Sequence, residues 1–531
     1  MKRNRYFLFG FSCLAALSSC SDDETFVPAY EPPVEIDSTL TVTVNAAELY
    51  QTIDGFGASD AWMMDPIGKH WSEDNREGIA KLLFSRERDN LNNPEGIGLS
   101  MWRFNVGTGS YDQGDDSDIS EAVKRTECFL SGDGGVYNWT KQSGQQYFME
   151  KAKEYGCEQF VLFSNSAPVY FTGNGRANNN TDLPEESYKK FGDFLATVAE
   201  HFQGQGYNIS YISPINEPEY EWGAGGQEGC RFTNAGVQKV AVALDGSLTE
   251  KGLSNTMMLM PEGAKWDYFY STGDRGAAYG NKIDELFTPG GKYYIGDLSH
   301  FPDIICGHSY YLDKTWNVLE NTRMQVYNKA VAQGLRIYQS EWSMLDEGYE
   351  DYPNYDEATY MDLALSMAKV LHHDLVTASM SSWCYWTAVS TEVYSQKNRF
   401  YLVRVIPGGG DYGDINEDGS FSAGKTLWVL GNYSLFVRPG YQRVGVNLPK
   451  DSKEVFGSAY ISPEKDRLVV VYTNMTEKNI QIETSLEGIE GAVDSVEQLV
   501  TSESYDLEPI EHYREGLLPA KSVSTFVYLL K

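Results

Sequence analysis

The sequence predicts an α/β protein: a (β/α)8 TIM barrel with a C-terminal antiparallel β-sandwich, joined by an N-terminal strand. Three observations lead there. Between about Gln51 and Phe400, short apolar or β-branched runs alternate with stretches of helical spacing. After Gly440 the helical stretches give way to alternating strands joined by turns. Ahead of the barrel, "TLTVTVNAAELYQTI" has the polar and apolar alternation of a half-buried strand, which matches the C-terminal pattern.

The N-terminus reads as an export signal. Lys2, Arg3 and Arg5 precede an apolar run, Tyr6 to Leu17, that is too short to span a bilayer as a helix. The "LSSC" ending at Cys20 resembles a bacterial lipobox, implying cleavage before Cys20 and lipid attachment there; ordinary secretion with Cys20 unmodified is the alternative. The following "SDDE" resembles an acidic export tag, so an exported lipoprotein on the outer membrane and cell surface is expected. The expected organisation is a signal peptide at 1–19, a lipid-anchored tether at 20–37, a strand for the sandwich at 38–50, the barrel at 51–440 and the sandwich at 441–531.

Eight runs supply the barrel strands: "IDGFGAS", "IGLSMWRFNVG", "QFVLFSNS", "ISYISPINE", "TMMLMPEG", "DIICGHSYY", "LRIYQSEW" and "SMSSWCYWT". Helical patterns such as "YKKFGDFLATVAEHF" and "ATYMDLALSMAKVLHHDL" lie between them. A doubly wound sheet is the competing arrangement, but no glycine-rich phosphate turn follows the first strand. The sandwich strands are "RVGVNLP", "EVFGSAYIS", "DRLVVVYTNM", "NIQIETSL" and "SVSTFVYLL".

Composition narrows the partners. A net charge of -32 over 531 residues argues against nucleic acid and anionic membranes, leaving the N-terminal lipid as the only membrane contact. The 36 Tyr and 11 Trp permit stacking on sugar faces, although core packing accounts for most of them. Cys128, Cys157, Cys230, Cys306 and Cys384 show no CxxC spacing and suggest buried thiols rather than a disulfide framework or a zinc site. No metal or other cofactor is expected, and neither HExxH, GxSxG nor a P-loop occurs. "DINEDGS", 414–420, resembles half a calcium loop, but Lys425 stands where the bidentate glutamate belongs, so a polar turn is expected.

Catalytic side chains of such barrels sit at the C-terminal strand ends. The fourth run ends in "INEP" with Glu217, and the seventh in "QSEW" with Glu341. Two carboxylates facing one bond suit glycoside hydrolysis: one gives a proton, the other attacks. Glu219 and Glu221, beyond the strand, read as loop or subsite residues.

The ordered set "IDGFGASDAW", "GLSMWRFNVGTGS", "NEP", "HSY", "SEW", "LGNYSLFVRPG" and "LPAKSVSTFVY" resembles glycoside hydrolase family 30 from about residue 40 to the end. The resemblance implies Glu217 as acid/base, Glu341 as nucleophile and Asn216 as a ligand of the hydroxyl next to the anomeric carbon. It also implies that Arg103 and Tyr310 lower the pKa of Glu341. Asn105, Asn165, Trp222, His308, Trp342 and Trp386 are further substrate-binding candidates, with Trp342 and Trp386 as pocket floor; Trp62 and Tyr170 are rim aromatics. The long strand loops look most like the endo-β-1,6-galactanase branch. Xylanase, β-1,6-glucanase, exo-acting β-glycosidase and a non-catalytic glycan-binding lipoprotein are the alternatives. The expected partner is a β-linked polysaccharide or oligosaccharide, bound by a monomer.

Overall fold

A computed structural model describes residues 35–223, 225–393, 397–448, 453–510 and 516–531. The signal peptide, Cys20 and the tether up to residue 34 lie outside the described residues. None of the described helices is long and apolar enough to cross a membrane.

Eight parallel strands close the barrel, in the order the sequence runs. They are Gly55–Ser59, Met101–Asn105, Gln159–Phe163, Ile209–Ser213, a fifth in two pieces (Met257–Met258 and Met260–Gly263), Ile304–His308, Arg336–Trp342 and Ser382–Tyr385. The eighth pairs with the first, and the fifth bridges its neighbours, one piece against each. Its break falls at Leu259, whose N–H still donates to the carbonyl of Ile212, 2.9 Å away. Inside, Met101, Val161, Leu259, Cys306, Tyr338 and Cys384 form an apolar layer beneath the strand ends. All five cysteines predicted to be thiols are free and buried.

The second sheet has nine strands, and Ser38–Thr52 is one of them. That strand pairs antiparallel with Gln442–Asn447 and parallel with Ile480–Glu487. The parallel pair departs from the all-antiparallel expectation. The strand arrives before the barrel, so no hairpin turn sets its direction. Strands from distant parts of the sheet meet across it: the Gln498 amide donates to Leu517 O (2.6 Å), and Asn474 reaches Leu518 and Pro519. The sheet thus folds over into two layers.

Alternation along Arg467–Asn474 sends Leu468, Val470 and Tyr472 into the core of this domain and Val469 and Val471 into the core shared with the barrel. The helix Tyr360–His372 lies between the two, capped by a reciprocal Thr359 and Asp362 box and buried along nearly its whole length. The "DINEDGS" segment folds as a turn, with Asp414 Oδ1 accepting from the Asn416 backbone and side chain.

One buried ion pair ties the helical layer to the strand ends. Arg323, on helix Trp316–Val331, donates to Asp374 (2.8 Å), to Leu312 O and to Ser309 Oγ, while Asp374 accepts from the Trp383 indole. Ser309 lies between His308 and Tyr310, so this pair fixes the start of the sixth loop. Asp374→Ala leaves Arg323 buried without its counter-charge. The expected cost is about 3–5 kcal/mol, read from equilibrium urea unfolding; an unchanged midpoint would contradict the assignment.

Candidate active site

At the C-terminal rim the second, fourth, fifth, sixth and seventh strands deliver charged side chains to one point. Arg103 comes from within the second strand and His308 ends the sixth. Glu341 gets there through an irregularity. Cys306 pairs with Tyr338 and Gly307 with Gln339, but His308 pairs with Glu341, so Ser340 is an extra residue. Strict alternation after Tyr338 would put Ser340 and Trp342 inside and Glu341 outside; the bulge turns Glu341 inward. A second register break, between the fifth and sixth strands, does the same for Glu262.

Glu217 lies four residues past the fourth strand, in the left-handed region at φ 43°. Glu262 is there too, at φ 53°. Such backbone costs on the order of 1–3 kcal/mol for a non-glycine residue. The Glu217 N–H donates to the Glu262 carbonyl at 2.9 Å, which ties the two together.

His308 sits at the centre. Its Nδ1 lies 2.9 Å from Glu217 Oε1 and 3.7 Å from Glu341 Oε1, and its Nε2 lies 3.2 Å from Glu262 Oε2. One carboxylate oxygen of Glu217, one of Glu341 and a nitrogen of His308 all lie within 4.8 Å of one another. Arg103 Nη1 donates to Glu341 (3.3 Å), its Nη2 lies 3.6 Å from Glu262, and the Tyr310 hydroxyl donates to Glu341 at 2.9 Å. Each ring nitrogen of His308 faces a carboxylate, and Arg103 adds a second cation. The donor set is organised around protons rather than a metal ion.

Burial works against every charge here, and the neighbours decide the outcome. It opposes the His308 imidazolium, but Glu341, Glu217 and Glu262 together raise that ring to about 10. Burial would raise Glu262, yet Arg103 and His308 hold it at about 2. For Glu341 burial wins: His308, Arg103 and Tyr310 pull its pKa down, and the net shift is still upward. Arg103 and Tyr310 act in the expected direction, and burial outweighs them. With two cations and three carboxylates, the cluster is neutral when the Glu217 and Glu341 pair holds one proton. Glu341 receives Arg103 and Tyr310 as donors, whereas Glu217 has the His308 ring.

The other candidates divide. Asn216 lines the cavity with Glu217 and Glu341, and its Oδ1 is buried without a partner among the described residues. Trp222 and Trp386 line the same cavity, which holds about 350 Å³. Asn105 and Asn165 are buried with their side-chain amides unpaired among the described residues, and neither lines that cavity. Trp342 is corrected. The bulge sends it outward, where it packs against Trp383 and Tyr385 and donates to Asp313 at 2.8 Å, so it is no pocket floor. Glu219, beyond the strand as read, lines this cavity and is buried against Lys282, 2.9 Å away. Tyr170 lies outside this cavity, while Trp62 packs edge to face on Trp386. The sequence reading overlooked Glu262, although "MPEG" already placed an acid at the end of the fifth strand.

The model of O-glycosyl hydrolase family 30 matches residues 39–400. The chain belongs to this family. It is 29% identical over 236 residues to an endo-β-1,6-galactanase of Hypocrea rufa, covering 40% of this chain and 48% of the relative. It is 23% identical over 302 residues to an exo-β-1,6-galactobiohydrolase of Bifidobacterium longum subsp. longum, covering 46% of this chain and 18% of the relative. The chain thus spans half or less of these curated relatives. A conserved exported protein from Bacteroides fragilis superposes with a TM-score of 0.83 at 31% identity, covering 92% of this chain and all of that one.

The shifts set a pH dependence. His308 adds stability as a cation: fully below its ordinary 6.5, and lost as pH rises through about 10. Glu262 runs the other way, adding stability above its ordinary 4.5 and losing it as pH falls through about 2. Ring-nitrogen NMR is expected to show one imidazolium persisting to about pH 9, missing in His308→Gln. A His308 ring that deprotonates near its ordinary value would contradict this.

Proposed function

We propose that this hydrolase cleaves β-1,6-linked galactan within the chain, with retention of configuration, by double displacement. Glu341 attacks the anomeric carbon while Glu217 protonates the leaving oxygen; Glu217 then takes a proton from water as the glycosyl-enzyme is hydrolysed. The observation that carries the mechanism is that one oxygen of each carboxylate lies within 4.8 Å of the other. Retention uses a separation of about 5–5.5 Å, while inversion leaves about 6.5–9.5 Å for a water molecule. The unpaired Asn216 oxygen supports a contact to the neighbouring sugar hydroxyl, one that tightens as positive charge develops. The likeness to the Hypocrea rufa galactanase supports the substrate.

Export as a lipoprotein is proposed on Lys2 to Cys20, and the exported Bacteroides fragilis relative supports it. Palmitate labelling of the full chain should be lost in Cys20→Ala.

The catalytic reading is tested with β-1,6-galactan beside β-1,6-glucan and xylan. Glu341→Gln is expected to lose more than about 10³-fold in rate and Glu217→Gln about 10²–10⁴-fold. Proton NMR should show the β anomer formed first. Initial release of the α anomer would overturn the mechanism, and turnover of xylan or glucan but not galactan would overturn the substrate.

A further inference from the structure

A second buried charge pair, outside the cluster around His308, lies in the wall of the catalytic cavity. Glu219 lines that cavity, and its Oε1 is 2.9 Å from the ammonium of Lys282, which is buried completely and has no other ion-pair partner among the described residues. The mechanism uses neither residue. A buried pair adds little net stability over an apolar pair of the same size, because desolvating two charges offsets their attraction. What it adds is direction, holding two segments at one contact.

The segments it holds are the turn of the acid and the loop after the fifth strand. The Glu217 N–H donates to the Glu262 carbonyl, and two residues further on in both segments the Ala264 N–H donates to Glu219 Oε2 at 3.1 Å. These two bonds run in opposite senses, so the turn is laced to the fifth loop on both sides of Pro218. A third bond, from the Tyr220 N–H to the Glu217 carbonyl at 2.9 Å, closes the turn itself. Gly263 makes the close approach possible: a Cβ there would stand 3.1 Å from Glu219 Oε1 and 2.6 Å from the Phe269 ring.

Lys282 enters from the far end of the same loop. The chain leaves the fifth strand at Ala264 and returns at Lys282, just before the short helical segment Ile283–Phe287. Between these ends it brings Lys265, Tyr268 and Arg275 to the cavity. One carboxylate thus clasps both ends of the loop, Oε2 taking the Ala264 N–H and Oε1 facing Lys282. As an ion pair, Glu219 and Lys282 carry no net charge, so they leave the proton count of Glu217 and Glu341 as it is.

We propose that Glu219 and Lys282 are positioning residues for the acid/base. They hold the turn that carries Glu217 against the fifth loop, so proton delivery to the leaving oxygen depends on them and attack by Glu341 does not. This rests on the role proposed above for Glu217.

Two aryl β-1,6-galactobiosides, given to the full chain, test it through kcat/KM, which reports the first step. A dinitrophenyl group departs without a proton, whereas a methylphenyl group needs one. Glu217→Gln sets the signature: its methylphenyl value is expected to fall about 10²–10⁴-fold further than its dinitrophenyl value. Either single change at the pair leaves a buried charge unpaired, so the decisive variant combines Glu219→Gln with Lys282→Met, which removes both charges at nearly constant volume. It should lower the methylphenyl value roughly 10- to 100-fold further than the dinitrophenyl value. A double variant that slows both substrates alike, or neither, would overturn the proposal, because a purely structural role leaves their ratio unchanged. A native ratio in Glu217→Gln would remove the acid assignment and this proposal with it. If only the aryl xylobiosides or β-1,6-glucobiosides react, the galactan reading fails, and the same ratio measured on them decides the positioning role.

Discussion

The imidazolium of His308, enclosed by Glu217, Glu262 and Glu341, is the constraint on which the rest of the rim depends. Three buried carboxylates cannot share so small a volume without cations, and Arg103 and His308 supply them. Each charge comes from a different barrel strand or strand end, so closure of the barrel and neutrality of the cluster are one requirement. The left-handed backbone at Glu217 and Glu262 and the extra residue at Ser340 are the local distortions that bring these groups together.

Glu262 does work that leaves no mark on the reaction itself. It stays ionised, holds His308 charged from the far side and shares Arg103 with Glu341. With two cations beside Glu262, the cluster is neutral when Glu217 and Glu341 share one proton. A double displacement needs that arrangement, because the same pair must be acid and anion in one step and base and ester in the next.

Much of this was legible in the sequence, and what was not has physical reasons. The strand order and the glutamates of "INEP" and "QSEW" follow from periodicity and from where barrels carry their chemistry. Trp342 was misplaced because alternation cannot reveal a bulge: one extra residue exchanges inside and outside, and nothing in "YQSEW" announces it. The ion pair of Glu219 was not legible because its partner, Lys282, lies 63 positions away, beyond the reach of local pattern. The net upward shift at Glu341 was not legible because neighbours can be guessed from motifs while the depth of burial cannot.

The central claim, that Glu341 becomes covalently bonded to the sugar, is tested most directly by trapping that bond. A 2-deoxy-2-fluoro-β-glycosyl fluoride of the cleaved sugar slows the second step, and peptide mass mapping locates the label. The account predicts one equivalent on Glu341, released when an acceptor sugar is added. A label on Glu217 or Glu262, or steady turnover with no adduct, would contradict it.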